Sequence, residues 1–335
     1  MFDSGFGGLT VARAVIDLLP AENLVYVGDT GRYPYGSRPL GEVRAFARQI
    51  TRKLVEEHDV KLVVVACNTA TAAALDDLRY EFDVPIMGVI SPGVRALLSV
   101  TETGRVGVIG TVGTISSGAY QRAVQARRAL TASGRPVRLT CAACPGFVEL
   151  VERGEERSDE ALVLAERLLA PVRAAGVDSL LLGCTHYPYL ARTIGEVMGP
   201  QVVLVSSADE TAFEVRDLLL ETGLGRRAVG GGEHTWISSG DVAAFVRLGR
   251  RLFGPELDRV EHWEPEAGAA PALGGARTVP GRLAARSGRG PEPSPVPGGK
   301  VGGPEPSPAP GGQAGAPEAS PVLSAVATEG GTAEC

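Results

Sequence analysis

Short apolar runs alternate along this chain with longer amphipathic stretches, and that alternation sets the first expectations. Runs at 24–27, 62–66, 84–90, 106–109, 180–182 and 202–205 have the length of strands buried on both faces, which read as continuous hydrophobic segments. Between them the period lengthens. Leu9, Ala12, Ile16 and Leu19 share one face at 3.6 residues per turn, and Pro20 stops the run, so a helix is expected there. Comparable faces recur around 40–57, 115–130, 159–175 and 208–222. Strand and helix signals in this order predict an α/β fold with parallel sheets.

The pattern ends near Trp263. From 264 to 335 there is no aromatic residue, and the near-copies PEPSPVPGG at 291–299 and PEPSPAPGG at 304–312 mark low complexity, so a disordered Gly/Pro-rich tail is expected there. With 335 residues and 44% hydrophobic content, the chain can bury one or two cores. No apolar run approaches the ~20 residues of a membrane span, and MFDSGFGG lacks the basic-then-apolar pattern of a signal peptide, so a cytoplasmic protein is expected. The net charge of -6 argues against a nucleic-acid footprint. Five cysteines are an odd, sparse set that fits free thiols better than a disulfide framework.

Two of those thiols stand where chemistry is expected. Cys67 and Cys184 each end an apolar run and meet hydrogen-bonding residues at once, in LVVVA-CNTAT and SLLLG-CTHY. In an open parallel sheet, ligands bind beyond the carboxyl ends of the strands, where both cysteines would lie. A thiol at the start of a helix or turn should have its pKa lowered by free N–H groups and the helix dipole. Buried inert cysteines are the bland alternative, but Asn68, Thr69, Thr185 and His186 are costly beside a strand end unless they bind something. Of the four histidines, His58, His234 and His262 have surface or loop settings, which leaves His186 to orient or protonate Cys184, or to make only a local hydrogen bond. Asp3 and Ser4 open a Gly-rich turn, DSGFGG, that could cradle a carboxylate or simply cap a helix.

Other chemistry fits less well. Cys141 and Cys144 form a CAAC pair with no second Cys or His pair to complete a zinc site, so two ordinary cysteines at a strand end are expected, and no metal. The three lysines, Lys53, Lys61 and Lys300, lie on a charged helical stretch, ahead of a strand and in the tail, so none suits a Schiff base with pyridoxal phosphate. A faint internal echo is also present. FDSGFGGLTVARAV precedes LVVVACNTAT much as VIGTVGTISSGAYQRAV precedes LLLGCTHY, which suggests two similar lobes facing each other.

FDSGFGGLTV, PYGSR, ACNTATA, ACPGFVELVE and GCTHYPYL, in that order, resemble the glutamate racemase family of aspartate/glutamate racemases over roughly residues 1–253. The resemblance implies cofactor-independent interconversion of L-glutamate and D-glutamate for cell-wall peptidoglycan. It implies two pseudo-symmetric lobes with the site between them, one formed by 1–91 and 207–255 and the other by 92–206. By the same resemblance Cys67 would deprotonate D-glutamate and Cys184 L-glutamate, assisted by Asp3 and His186 respectively. Asp3, Ser4, Tyr35, Gly36, Asn68, Thr69, Thr185 and His186 match substrate-contacting positions, and Glu152 matches an acidic residue near the cleft. A homodimer is the expected assembly. Family members carry several residues ahead of FDSG, so a short first strand is expected, and the tail lies outside the family pattern. A two-lobed binding protein for an acidic amino acid, or a racemase of aspartate, are the rival readings.

Overall fold

The computed structural model describes residues 1–127, 134–228 and 230–266. The expected tail, and the end of the expected 115–130 helix, fall outside the described residues. Among the described residues ten strands form two wholly parallel sheets: β1 (Phe2–Asp3), β2 (Leu24–Gly28), β3 (Val63–Val65), β4 (Ile86–Gly88), β5 (Arg105–Gly110), β6 (Arg138–Ala143), β7 (Ser179–Gly183), β8 (Val203–Val205), β9 (His234–Ser238) and β10 (Val260–His262). The first sheet runs β10-β9-β2-β1-β3-β4 and the second β6-β5-β7-β8. This is the α/β architecture that the apolar alternation predicts, with the two parallel sheets that the family resemblance implies.

The two sheets repeat one topology. Within each, the first strand of the set lies between the second and the third, with the fourth at the edge. The weak sequence echo thus has a structural counterpart, since Cys67 follows the third strand of one set and Cys184 the third strand of the other. In this order the chain reverses its winding between the first and third strands, which is where open α/β sheets hold ligands. Asp3 ends β1 and Cys67 lies just beyond β3.

Helices cover both faces of the strands and account for their unbroken apolar sequences. Val63, Val64 and Val65 are all buried, packed between a cluster containing Leu9, Tyr26 and Phe245 and one containing Ile50, Leu54 and Leu78. In the second sheet Val106 and Val108 face Leu97 and Tyr120, while Ile109 and Leu180 face Phe147 and Val172. Each fully buried side chain of this kind contributes about 1.5–3 kcal/mol relative to exposure.

Several boundaries differ from expectation for local reasons. The run 84–90 yields a strand of only three residues, and Ile90 already belongs to the helix Ile90–Val100. The 115–130 face is split at Gly118, whose φ of 70° breaks it into Val112–Ser116 and Ala119–Ala126. The 159–175 stretch divides into Asp159–Leu168 and Ala170–Ala174, the second helix starting with Pro171 in its first turn, where the missing N–H costs nothing. No apolar run marked β9 or β10, while β1 has only the two residues of the short first strand that was expected and β6 is the strand that CAAC was expected to end. β6 is a partly exposed edge strand, and β9 enters the first sheet beside β2 late in the chain.

Candidate active site

Both thiols are buried and both stand at carboxyl strand ends. Cys67 ends the turn after β3 and caps the helix Asn68–Glu81, its Sγ accepting from the Ala70 N–H at 3.4 Å. Cys184 follows β7 and leads into the short helical turn Tyr187–Leu190. Contrary to the expected lowering, the acidity of both falls. Burial pushes Cys67 up to about 12, helped by the Asp3 carboxylate and only partly opposed by the Ala70 and Ser4 hydrogen bonds. Cys184 is likewise held well above the ordinary thiol value by burial, although backbone N–H groups of His186 and Tyr187 pull the other way. Loss of hydration at a sealed strand end outweighs the helix N-terminus.

Asp3 and its neighbours join the two halves. The Asp3 carboxylate, fully buried, accepts from the Gly5 N–H at 2.9 Å and from the Thr185 hydroxyl at 3.1 Å. Burial raises its pKa, and the nearby His186 ring counters that rise. Ser4 lies between Asp3 and Cys67: the thiol approaches the Ser4 hydroxyl at 3.8 Å, and that hydroxyl approaches Asp3 Oδ1 at 3.5 Å. His186 Nε2 bonds Glu152 Oε1 at 3.1 Å, while among the described residues no hydrogen bond joins its ring to Cys184. Glu152 therefore stands behind His186.

The remaining expected residues fall into two kinds. Asn68 Nδ2 donates to the Tyr120 hydroxyl at 2.8 Å, and Thr69 shares a triangle of 3.0 Å hydroxyl contacts with Thr111 and Thr114. Gly36 lies against Thr111 and its carbonyl accepts the Gly113 N–H at 2.8 Å. Tyr35 lines the same cleft as Gly36. Its ring packs on Phe46 in the core and its hydroxyl bonds the Asp29 carboxylate, leaving it to position the turn that carries Gly36. Asp29 is buried and also takes the Arg32 guanidinium at 2.8 Å and the Ser239 hydroxyl after β9, so it anchors the whole 29–37 loop.

Ser4, Gly36, Thr69, Thr111, Cys184 and His186 line one cavity of about 80 Å³. Among the described residues no lysine or arginine lines it. A larger cavity, about 310 Å³, opens at the opposite end of the first sheet around Met1, Leu24 and Leu62 and holds neither thiol. Sequence reasoning missed Thr111, Thr114, Tyr33 and Tyr120. The echo contained the signal for Thr111, because Thr111 follows β5 as Ser4 follows β1.

Cys141 lies in β6 and Cys144 just past its end, the strand-end placement expected of CAAC, and burial pushes them to about 11 and about 12. Among the described residues no group of three or more His, Cys, Asp or Glu side chains could hold a metal ion. Lys53 pairs with Glu57, and Lys61 with Glu22 at 2.6 Å, both outside the cleft. No helix among the described residues is long and apolar enough to cross a membrane.

Two thiols thus stand at equivalent ends of two like sheets, and comparison with known proteins shows the family. Residues 9–214 match the Asp/Glu/Hydantoin racemase family. The glutamate racemase of Acidothermus cellulolyticus is 50% identical over 261 residues, covering 78% of this chain and 96% of that protein. The chain belongs to the glutamate racemase family. It is an amino-acid racemase, an isomerase. Among solved racemase structures, a glutamate racemase isoform of Bacillus anthracis superposes with a TM-score of 0.73 at 36% identity, covering 79% of this chain and 96% of that one. The Francisella tularensis glutamate racemase, solved in complex with D-glutamate, gives 0.71 at 28% identity, covering 78% and 96%.

Proposed function

We propose that this racemase interconverts L-glutamate and D-glutamate without a cofactor, using Cys67 and Cys184 as bases on opposite faces of the α-carbon. The observation that carries the reading is the pair of buried thiols beyond the third strands of two equivalent sheets, Cys184 lining the hydroxyl-rich cleft and Cys67 lying 3.8 Å from the Ser4 hydroxyl, whose residue lines it too. The D-glutamate bound to the Francisella relative supports the substrate.

The α-hydrogen of an amino acid is a weak acid, so its removal needs a strong, desolvated base. Burial supplies that: the pressure that lifts the thiol pKa values makes each thiolate more basic once formed. The substrate ammonium, entering beside the thiols, favours the thiolate by opposite charge. In the L-to-D direction the Cys184 thiolate takes the α-proton and becomes a thiol. The C–H electron pair remains on the α-carbon and spreads into its carboxylate. Cys67 then gives its proton to the opposite face and is left as the thiolate. The D-to-L direction reverses these roles.

The flanking groups divide the remaining work. Asp3 serves Cys67 through Ser4, and His186, held by Glu152, serves the Cys184 side. With no lysine or arginine among the described residues lining the cleft, the substrate carboxylates are held by neutral donors, Ser4, Thr69, Thr111 and Thr185 with nearby backbone amides, an arrangement that also stabilises charge developing in the transition state. The lobes are 1–91 with 207–255, and 92–206. The enzyme acts in the cytoplasm as a homodimer, and its product supplies peptidoglycan synthesis.

The test is optical. Either enantiomer of glutamate should lose its circular dichroism to zero with the purified enzyme, at an undiminished rate after dialysis against a chelator and after treatment with a carbonyl-trapping reagent. Aspartate under the same conditions should stay optically active. Decay of aspartate alone, or loss of activity after either treatment, contradicts the reading.

A further inference from the structure

Tyr120 touches a residue next to each thiol, Asn68 after Cys67 and Gly183 before Cys184. It belongs to the helix Ala119–Ala126, which packs on the second sheet, and only 1% of its surface is exposed. Its hydroxyl receives the Asn68 Nδ2 hydrogen bond at 2.8 Å, and Asn68 is the residue after Cys67. Its ring also covers Gly183, the residue before Cys184. A methyl group at Gly183 would stand 2.9 Å from the Tyr120 hydroxyl and 3.0 Å from its ring, as well as 2.6 Å from the Ile109 carbonyl. One phenol therefore braces the approach to Cys67 from one strand set and to Cys184 from the other.

The Asn68 amide shows what this bracing achieves. Its Nδ2 is committed to Tyr120, while its Oδ1 is buried and accepts from no group among the described residues. A buried acceptor without a donor is costly, so it marks a place for a donor brought by a ligand. The α-ammonium of an amino acid is such a donor.

We propose that Tyr120 is a positioning residue for this reaction: its hydroxyl orients the Asn68 amide so that Oδ1 receives the substrate ammonium, while its ring seats the Gly183–Cys184 turn opposite. The ammonium contact exists before and during proton transfer, so it acts as uniform binding and its loss raises KM rather than lowering kcat. The proposal rests on the racemase reading for the identity of the ligand.

The experiment is a double-mutant cycle on Tyr120→Phe and Asn68→Ala in the full chain, read by glutamate turnover and by calorimetric binding of D-glutamate. Tyr120→Phe keeps the ring on Gly183. It should raise KM for both enantiomers, and Kd for D-glutamate, by about tenfold, with kcat within about twofold of the parent. In the Asn68→Ala background it should add less than about twofold, because the group it positions is gone. The two enantiomers have equal free energy in solution, so kcat/KM must fall by the same factor in both directions. Parental KM and Kd, an equal loss in both backgrounds, or a Tyr120→Phe protein that no longer melts cooperatively would each overturn the proposal, the last two by making the hydroxyl general structural cement. Binding also separates the two ideas. A parent that binds D-glutamate without racemising it contradicts the proposed reaction, while the cycle on Kd still decides the role of Tyr120.

Discussion

Replacing either Cys67 or Cys184 with serine lowers racemisation by about 10³-fold while the fold persists. Removing a positioned acid or base ordinarily costs about 10²–10⁴-fold, and here each turnover needs both thiols in sequence. Serine keeps the shape of the side chain, but an alcohol is too weak an acid to supply a base at neutral pH. The two variants then differ in handedness. Elimination of HX from a β-substituted glutamate needs one base only: the α-proton leaves to that base, and the electron pair forms the double bond as the β-substituent departs. Cys67→Ser, which retains Cys184, should process the L-form, and Cys184→Ser the D-form. Steady-state racemisation together with elimination assays on each enantiomer reads both effects. Near-parental racemisation by either variant would return that cysteine to an inert core role.

Gly7→Ala gives the second large loss. Gly7 is the second glycine of DSGFGG, and a methyl group there would come within 3.0 Å of both the Thr185 hydroxyl and the His186 ring. Neither neighbour has free space: Thr185 is bonded to Asp3 and His186 to Glu152. The added carbon must therefore move the groups that surround Cys184. Displacement of catalytic groups by about 1 Å costs about 10²-fold, and kcat/KM should fall by at least that factor. Overpacking should also lower stability by about 1–3 kcal/mol. Gly41→Ala is the matched control, since nothing lies within 4 Å of the added methyl and the site is on the helix Leu40–Glu56. It should leave kcat/KM unchanged. A Gly7→Ala enzyme with parental kcat/KM would mean that the turn yields without disturbing Thr185 and His186.

The parts of this site legible in the sequence were those that local pattern determines. A strand buried on both faces reads as an unbroken apolar run, so its end is visible, and VVVAC and LLLGC placed both thiols at carboxyl ends. Residues whose role depends on a distant partner were not legible from pattern. Thr111 and Tyr120 read as ordinary helix-flanking residues until Thr69 and Asn68 are brought against them from the other sheet. Tyr35 was expected at the substrate from family resemblance and lines the cleft, but no local pattern showed that the distant Asp29 holds its hydroxyl. The return of the chain to the first sheet rested on family resemblance, since HTWIS begins with histidine after a glycine run and carries little strand signal of its own. The thiol acidity was misjudged because the helix N-terminus is readable in sequence and desolvation is not.

The central claim, two bases on opposite faces, is tested most directly by proton bookkeeping in deuterated water. Pure L-glutamate is incubated with the enzyme, and at low conversion the residual substrate and the new D-glutamate are separated and weighed for α-deuterium. With two bases, the proton removed by Cys184 cannot be the one delivered by Cys67. The D-glutamate formed should then carry deuterium in nearly every molecule, while recovered L-glutamate stays largely protiated. Starting from D-glutamate, the labels should exchange places. Product that retains the original α-proton, or deuterium appearing equally in recovered substrate and product from the first turnovers, would mean a single base working both faces and would contradict the account.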